Sequence, residues 1–383
     1  MQQPSQVTTQ EPTSRQLFLY FLRLGAVGFG GPIALAGYMQ KELVDERHWI
    51  SSEEYKEGLA LAQLAPGPLA AQLAIYLGWV RHGVLGATLV GIAFVIPSFL
   101  MVLALAALYL KLGGLPWMQG VFYGIGAAVI AIIARSVHKL VKSTLSRDWL
   151  LWSIFAVSGV VTAWTESEIV WLFFLCGLVA LVVRHPSLQL QNAALVPVWL
   201  ISGLHGPAAE TVISKLFWYF AEAGAFVFGS GLAIVPFLYG GVVRELHWLS
   251  ERQFLDAVAV AMITPGPVVI TVAFIGHLVA GPIGATAAAL GVFLPCYLFV
   301  ILPAPYFRRF ASNPRLKAFV DGVTAAATGA IAGAAFVLGR RAIVDLPTIL
   351  IALGTLLVLM KLKRMPEPAV ILAAGAVGLA LHR

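Results

Sequence analysis

Long, unbroken apolar runs joined by short polar connections constrain the fold of this chain more than any other feature. A water-soluble domain carries about a quarter charged residues, whereas 60% of the residues here are hydrophobic and 11% are charged. A backbone in lipid must satisfy its own hydrogen bonds, which leaves helices or closed barrels. The runs are continuous rather than alternating and many approach the roughly 20 residues that cross a bilayer, so they predict helices. The sequence therefore predicts an all-α polytopic membrane protein.

The chain also contains an internal repeat. Residues 17–68 align with residues 216–267 without a gap, with 19 identical positions in 52. After a deletion of one residue the alignment continues, and Pro97 then meets Pro295. The predicted organisation is a disordered N-terminal tail (1–14), a first repeat (15–185), a linker with one short membrane segment (186–210) and a second repeat (211–383).

The distribution of basic residues predicts how the repeats are oriented. Each repeat has six apolar segments, two of them interrupted, and the stretch 191–204 adds one more. Basic loops favour the cytoplasmic side, and they follow non-equivalent segments of the two repeats: Arg135, Lys139, Lys142 and Arg147 in the first, Arg308, Arg309, Arg315 and Lys317 in the second. This pattern predicts inverted repeats with about 13 transmembrane segments (6 + 1 + 6), a cytoplasmic N-terminus and an external C-terminus. Such repeats often surround a midplane site in secondary transporters.

Clusters of glycine and proline interrupt the apolar segments at matching places in both repeats. Within a helix, Gly costs about 1 kcal/mol and Pro about 3 kcal/mol relative to Ala. A membrane tolerates such breaks where protein or a water-filled cavity covers the backbone. A broken helix exposes N–H groups and the positive end of its dipole, both suited to an anion. Four matched breaks therefore predict one anion site built from kinked helices or re-entrant hairpins, although close helix packing is an alternative for any single cluster.

These clusters resemble the signature motifs of the chromate ion transporter family in its long, two-domain form. They are Gly28-Phe29-Gly30-Gly31-Pro32, Ala65-Pro66-Gly67-Pro68, Phe228-Gly229-Ser230-Gly231 and Thr264-Pro265-Gly266-Pro267. Trp49 and Trp248, each shortly before a second segment, fit as well. The resemblance covers nearly the whole chain and implies a protein of the bacterial inner membrane that exports chromate and confers resistance to it. The second-repeat cluster at 228–231 lacks the proline of its counterpart.

Ionisable residues within the segments are the next candidates, because a charge inside a membrane is costly and by default functional. Arg23 aligns with Glu222. The two either pair across the pseudo-twofold axis, or Arg23 binds the anion while Glu222 titrates; snorkelling near a segment end is the alternative for both. Glu57 aligns with Asp256 just before the Pro-Gly-Pro breaks, and both are proton-carrier candidates, with a solvated helix start as the alternative.

Other polar side chains receive more general roles. Five are predicted hydrogen-bond donors to the oxyanion: Gln63, Gln72, Ser230, Thr264 and Thr271. His48 and His247 precede tryptophans and are predicted to anchor the chain at the membrane interface. A basic face is predicted to bind lipid headgroups: Arg135, His138, Lys139 and Lys142.

Missing motifs narrow the function further. The chain lacks the G-x-x-x-x-G-K-[ST] motif of P-loop ATPases, and its two cysteines, Cys176 and Cys296, stand singly in apolar runs. We therefore predict no cofactor, no metal and no enzymatic activity. We also predict no nucleic-acid partner, because basic residues in the loops account for the net charge of +7. The predicted function is secondary transport of chromate or a sulfate-like oxyanion, driven by membrane potential or a proton gradient. An anion channel is the main alternative, and monomer or homodimer is left open.

Overall fold

The computed structural model describes residues 11–29, 31–112, 116–145, 148–165, 170–184, 211–226, 234–307, 313–362, 365 and 367–381. These residues form helices and short connections, without a β-strand. Four of the helices are long and apolar enough to cross a membrane. The predicted all-α membrane fold is thereby confirmed at this level.

The first interrupted segment is a helical hairpin. It consists of α1 (Ser14–Val27), α2 (Gly31–Met39) and a π-helix (Gln40–Glu46). The guanidinium carbon of Arg47 lies 5.6 Å from the ring centre of Tyr20, in the middle of α1. Residues 20 and 47 would lie about 40 Å apart in a continuous helix, so the chain doubles back at the glycine cluster.

The second interrupted segment doubles back in the same way. Here α3 (Ser52–Leu64) is followed by the first residues of α4. The hydroxyl of Tyr76 donates to the Glu57 carboxylate over 3.3 Å, although the two residues are 19 apart in sequence. A Cβ atom added to Gly58 would overlap the Tyr76 ring. The Pro-Gly-Pro cluster therefore forms the tip of a re-entrant hairpin, one of the two forms left open by the sequence.

A sharp turn divides α4 (Leu69–Leu112) into a short arm (69–81) and a long arm (84–112). Gly83 in the turn has φ +57°, a conformation that favours glycine. A Cβ atom on Gly78 would lie 2.5 Å from the carbonyl oxygen of Gly86, whereas these residues are about 12 Å apart in a straight helix. The two arms therefore lie side by side, with glycine at the point of closest approach.

The remaining helices of the first repeat are α5 (Pro116–Thr144), α6 (Trp149–Thr165) and α7 (Val170–Arg184). The second repeat contains α8 (Val212–Phe226), α9 (Ile234–Leu238), a π-helix (Tyr239–Glu245), α10 (Glu251–Ile263), α11 (Thr271–Ile301), α12 (Pro314–Ala342), α13 (Leu346–Lys361) and α14 (Glu367–Leu381). Short 3₁₀ turns precede and follow α11, at Val268–Ile270 and Ala304–Tyr306.

The two repeats match in unusual local detail. Each π-helix is followed by a histidine with positive φ, His48 at 53° and His247 at 50°. The Nδ1 atom of each ring lies within 3.0 Å of the carbonyl four residues earlier. The turn at Gly83 also recurs, at Gly281 with φ +62°, and it divides α11 into a short arm (271–279) and a long arm (282–301). These histidines therefore end the π-helices, a structural role beyond the predicted interfacial anchoring.

The repeats are interlocked rather than side by side. In the first repeat α5 packs on α13 and α14, while in the second repeat α12 packs on α6 and α7. Small residues allow the close approach: a Cβ atom on Gly124 of α5 would overlap the backbone of Ala374 in α14. Arg184 of α7 donates to Asp321 of α12 over 2.7 Å. Each repeat therefore completes the core of the other.

The long arms of α4 and α11 are in direct contact. Thr88, close to the start of one arm, is hydrogen bonded to Tyr297, close to the end of the other, over 2.7 Å. The end of α11 and the turn after it, including Val300 and Phe307, belong to the apolar core of the first repeat's hairpins. The end of the α4 arm, including Val102, belongs to the core of the second repeat. The long arms of α4 and α11 therefore run in opposite directions.

One predicted surface is corrected. Arg135 forms a salt bridge of 3.5 Å with Glu367 of the second repeat and is half-buried, because α5 lies against α14. His138, Lys139 and Lys142 remain exposed. Arg135 is therefore not part of the predicted headgroup-binding face. Residues 1–10 of the predicted tail and the predicted segment 191–204 lie outside the described residues.

Candidate functional site

Two glycine clusters, one from each repeat, meet directly. The backbone N–H of Gly266, in the Pro-Gly-Pro tip of the second repeat, donates to the carbonyl oxygen of Gly28 over 2.9 Å. Gly28 follows α1 at the tip of the first hairpin of the first repeat. Breaks that lie far apart in sequence are therefore in contact, as the anion-site hypothesis requires.

Ser98 completes this junction from the long arm of α4. Its hydroxyl donates to the carbonyl of Gly25 over 3.4 Å. A Cβ atom on Gly266 would overlap the Ser98 hydroxyl, and Gly266 itself has φ +96°. Only glycine fits at position 266, because both the backbone conformation and the space exclude a side chain.

The Pro-Gly-Pro tip of the first repeat makes a matching contact. Gly67 has φ +137°, and a Cβ atom there would lie 3.3 Å from the sulfur of Cys296 in the long arm of α11. Cys296 follows Pro295 just as Ser98 follows Pro97. Each tip glycine therefore faces the residue after the helix proline of the opposite repeat, an exchange typical of a twofold relation.

The fully buried side chain of Gln72 holds the first tip closed. Its amide nitrogen donates to the carbonyl of Pro66 over 2.6 Å. Its Oε1 atom is buried without a hydrogen-bond partner among the described residues. The predicted donor to the oxyanion is thus used within the tip itself, and a buried acceptor stands beside Gly67.

Helix ends are concentrated at these tips. Helix α2 begins within the first glycine cluster, α4 begins directly after the first Pro-Gly-Pro cluster, and α11 begins shortly after the second. Helix N-termini present free N–H groups and partial positive charge. The tips therefore have the electrostatic character that an anion needs.

Arg23 is exposed and borders a pocket of about 140 Å³ beside Gly28. Tyr20, Tyr38 and Glu42 also line this pocket. Arg23 is thus close to the junction of the tips, at the mouth rather than within it. Glu222, its repeat counterpart, is an exposed residue of α8, and pairing of the two stays a prediction.

The two aligned acids differ in their surroundings. Asp256 is 4% exposed and accepts a hydrogen bond of 2.8 Å from Tyr109 of the first repeat. Glu57 is half-buried and is bonded by Tyr76 within its own hairpin. A solvated helix start therefore describes Glu57 better than Asp256.

Several predicted anion donors are engaged elsewhere or face outward. The hydroxyls of Thr264 and Thr271 donate over 2.7 Å to carbonyls of their own turns, those of Val260 and Val268. Gln63 is exposed. Threonine side chains at the end and start of buried helices satisfy local carbonyls first, and a role of these side chains in anion binding stays a prediction.

Some predicted site residues lie outside the described residues: Gly30, Phe228, Gly229, Ser230 and Gly231. Phe29, Gly31 and Pro32 are partly buried at the first tip, and Pro66, Pro68, Pro265 and Pro267 flank the tip glycines. Among the described residues there is also no group of three or more side chains able to hold a metal ion.

Sequence reasoning missed Ser98, Gly25 and Tyr109, and treated Cys296 as an ordinary apolar-run cysteine. The alignment of Pro97 with Pro295 was the available signal, because a proline within a helix bends it and marks the residues around it as candidates for a site. Contacts across the repeats do not follow from aligning one repeat with the other.

The comparisons with known proteins agree with this architecture. The family model described as Chromate transporter matches residues 15–181 and again residues 214–379. The chain is 59% identical to a chromate transport protein of Cupriavidus metallidurans, over 97% of this chain and 94% of that protein. It is 56% identical to a probable chromate transport protein of Synechococcus elongatus, over 95% and 94% of the two chains. A chromate transport protein of Pseudomonas aeruginosa is 33% identical, over 95% and 91%.

No solved structure matches this chain. The double match of the family model coincides with the two interlocked repeats. Members of this family are transport proteins rather than enzymes. The chain therefore belongs to the chromate transporter family.

Proposed function

We propose that the protein is a secondary transporter that exports chromate across the bacterial inner membrane and thereby confers chromate resistance. The observation that carries the proposal is the hydrogen bond from Gly266 to Gly28, which joins breaks of both repeats at one point. In the part of the chain that the structure describes, no group of three or more side chains could hold a metal ion. Transport without chemistry is the function that this arrangement serves.

The substrate site is proposed at the four glycine and proline clusters. Backbone N–H groups and helix N-termini replace the hydration of the anion, and Arg23 guides it through the adjoining pocket. The proposed binding residues are Arg23, Phe29, Gly30, Gly31, Pro32, Gln63, Pro66, Gly67, Pro68, Phe228, Gly229, Ser230, Gly231, Thr264, Pro265, Gly266 and Pro267. Charge or proton coupling is proposed to use one of three candidate acids: Glu57, Glu222 or Asp256.

We propose inverted repeats, with the N-terminus cytoplasmic and the C-terminus periplasmic. The opposed directions of the long arms support this orientation. The packing of α12 on α6 supports it as well: Gly329 of α12 contacts Phe155, and Gly333 contacts Gly159, so the two helices run in the same direction. Since α5 precedes α6 across a short connection, α5 and its counterpart α12 then run in opposite directions. The hairpins enter and leave on one side, so they leave the orientation of the other segments unchanged.

The membrane potential supplies enough energy for export. One charge that crosses 100 mV gains about 2.3 kcal/mol, so a dianion that leaves a negative cytoplasm gains about 4.6 kcal/mol. At about 1.4 kcal/mol per tenfold gradient, this supports a gradient of roughly three decades.

Purified protein in proteoliposomes at a clamped potential tests the proposal. We expect saturable chromate flux that grows as the trans side becomes more positive and that exceeds flux of sulfate and molybdate. Equal flux of sulfate would indicate a general oxyanion transporter, the first alternative. Single-channel currents would indicate an anion channel, and absence of chromate flux at any potential would refute the proposal.

A further inference from the structure

Asp256 is a carboxylate in an apolar environment. It lies in α10, where its neighbours Ala257, Val258 and Ala259 are also buried. Among the described residues two groups act on it electrostatically, the hydroxyl of Tyr109 from the long arm of α4 and the exposed guanidinium of Arg252 from its own helix. An ionised carboxylate with so little compensation is costly to keep in such a place. Protonation removes that cost.

The hydrogen bond from Tyr109 crosses between the repeats. Tyr109 lies near the end of α4 in the first repeat, and its ring packs against Phe274 in the short arm of α11, with 5.4 Å between ring centres. Phe122 of α5 contacts the same ring at 5.8 Å. The hydroxyl is thereby fixed on Asp256 by aromatic contacts from both repeats.

The first repeat provides the matched case. Glu57, the counterpart of Asp256, accepts a hydrogen bond from the hydroxyl of Tyr76, which lies in the same hairpin. That contact does not connect the repeats, and Glu57 is more accessible. A change of protonation at Glu57 therefore alters a hydrogen bond within one hairpin, whereas a change at Asp256 alters one between the repeats.

We propose, on the basis of the proposed function, that Asp256 and Tyr109 form the proton-binding site that couples proton movement to chromate export. The carboxylate takes up one proton from one side of the membrane and releases it to the other, with no redox step. A hydrogen bond to an ionised carboxylate is roughly twice as strong as one between neutral groups. Protonation thus weakens the contact between the repeats and releases them to move relative to one another.

The test uses the full chain in proteoliposomes with clamped potential and an imposed pH gradient. Chromate flux and internal pH are recorded together. We expect the wild type to move protons with chromate, and Asp256→Asn to make chromate flux insensitive to the pH gradient, because the neutral amide resembles the protonated acid. The matched variant Glu57→Gln should retain the response to the pH gradient.

Tyr109→Phe supplies a second, milder readout that keeps the ring contacts. Its hydroxyl stabilises the ionised carboxylate, so its loss should move the pH of half-maximal flux upward by about one unit. Tyr76→Phe should cause no such shift. If Asp256→Asn does not fold, the pH profile of Tyr109→Phe still tests the proposal.

Three results would overturn the proposal: a full response to the pH gradient in Asp256→Asn, loss of that response in Glu57→Gln, or an unshifted pH profile in Tyr109→Phe. Chromate flux by the wild type without proton movement would also overturn it while leaving the proposed function intact. Absence of chromate flux in the wild type would refute the proposed function itself.

Discussion

The two repeats share one backbone plan but differ in how they place a hydroxyl on an acid. In the first, Tyr76 and Glu57 belong to one hairpin; in the second, Tyr109 reaches Asp256 from the opposite repeat. In the alignment that pairs Pro97 with Pro295, Tyr76 corresponds to Phe274, and Tyr109 corresponds to Phe307. The first repeat thus has tyrosine at both positions, and the second repeat has phenylalanine at both. A duplicated fold can keep its symmetry of packing while it assigns proton chemistry to one repeat.

The tip glycines differ in a related way. A Cβ atom on Gly67 would lie 2.5 Å from the side-chain amide of Gln72, which belongs to the same repeat. A Cβ atom on Gly266 would overlap Ser98 and lie 3.2 Å from the carbonyl of Gly25, both of the opposite repeat. The second tip therefore has the more rigid surroundings.

The largest expected effect comes from Gly266→Ala. Overpacking a rigid site costs about 1–3 kcal/mol, so we expect chromate flux to fall by about tenfold or more, with a lower melting temperature. Gly67→Ala should cost less, because the atoms nearest its added Cβ belong to side chains, whereas Gly266 also approaches the backbone carbonyl of Gly25. Flux per folded protein and thermal unfolding measure both variants.

Gly281→Ala is the matched control for backbone strain. Gly281 also has positive φ, but no atom lies within 4 Å of its added Cβ. We expect near-normal flux from this variant. Equal damage from Gly281→Ala, or from Gly67→Ala, would show that crowding at the junction of the repeats is not the cause.

A smaller effect is expected when the hydroxyl beside Asp256 is moved from position 109 to position 274. Tyr109→Phe combined with Phe274→Tyr conserves volume, and the repeat places position 274 relative to Asp256 as Tyr76 lies relative to Glu57. We expect the double variant to return the pH of half-maximal flux towards that of the wild type. A profile that stays where Tyr109→Phe leaves it would show that the repeats do not correspond at this site.

Much of this fold was accessible from the sequence. Apolar runs and the repeat predict the helices, the turns and the equivalence of the tips, because lipid leaves the backbone few options. The aligned pair Glu57 and Asp256 was also identified. What the sequence did not predict was the doubling back at the tips, since kinked helices and hairpins share the same glycine and proline pattern.

The cross-repeat partners were inaccessible for a different reason. Ser98, Cys296 and Tyr109 act through contacts with the opposite repeat, and an internal alignment relates equivalent positions rather than touching ones. Arg135 was assigned to the lipid surface for the same reason, because its partner Glu367 lies on a helix of the other repeat.

The smallest effect is expected at the Arg184 cluster, outside the tips. A hydrogen bond from Arg184 holds the pKa of Asp148 below its ordinary value. Asp148 then contributes stability above about pH 4 that is lost as pH falls through its lowered pKa. Arg184→Gln should therefore reduce stability at neutral pH slightly and flatten its acid dependence. The exposed Lys142→Gln should leave the acid dependence unchanged, and an identical acid profile in Arg184→Gln would contradict this assignment.

Cross-linking of the long arms tests the central claim, that the repeats enter from opposite directions and meet at their tips. In a background with Cys176 and Cys296 replaced by alanine, the pair Thr88→Cys and Tyr297→Cys is treated in membranes with a short bifunctional thiol reagent. The control pair is Thr88→Cys with Thr286→Cys, which are equivalent positions that two parallel arms would bring together. We predict cross-linking of 88 to 297 and none of 88 to 286. Cross-linking of 88 to 286 instead would contradict the account.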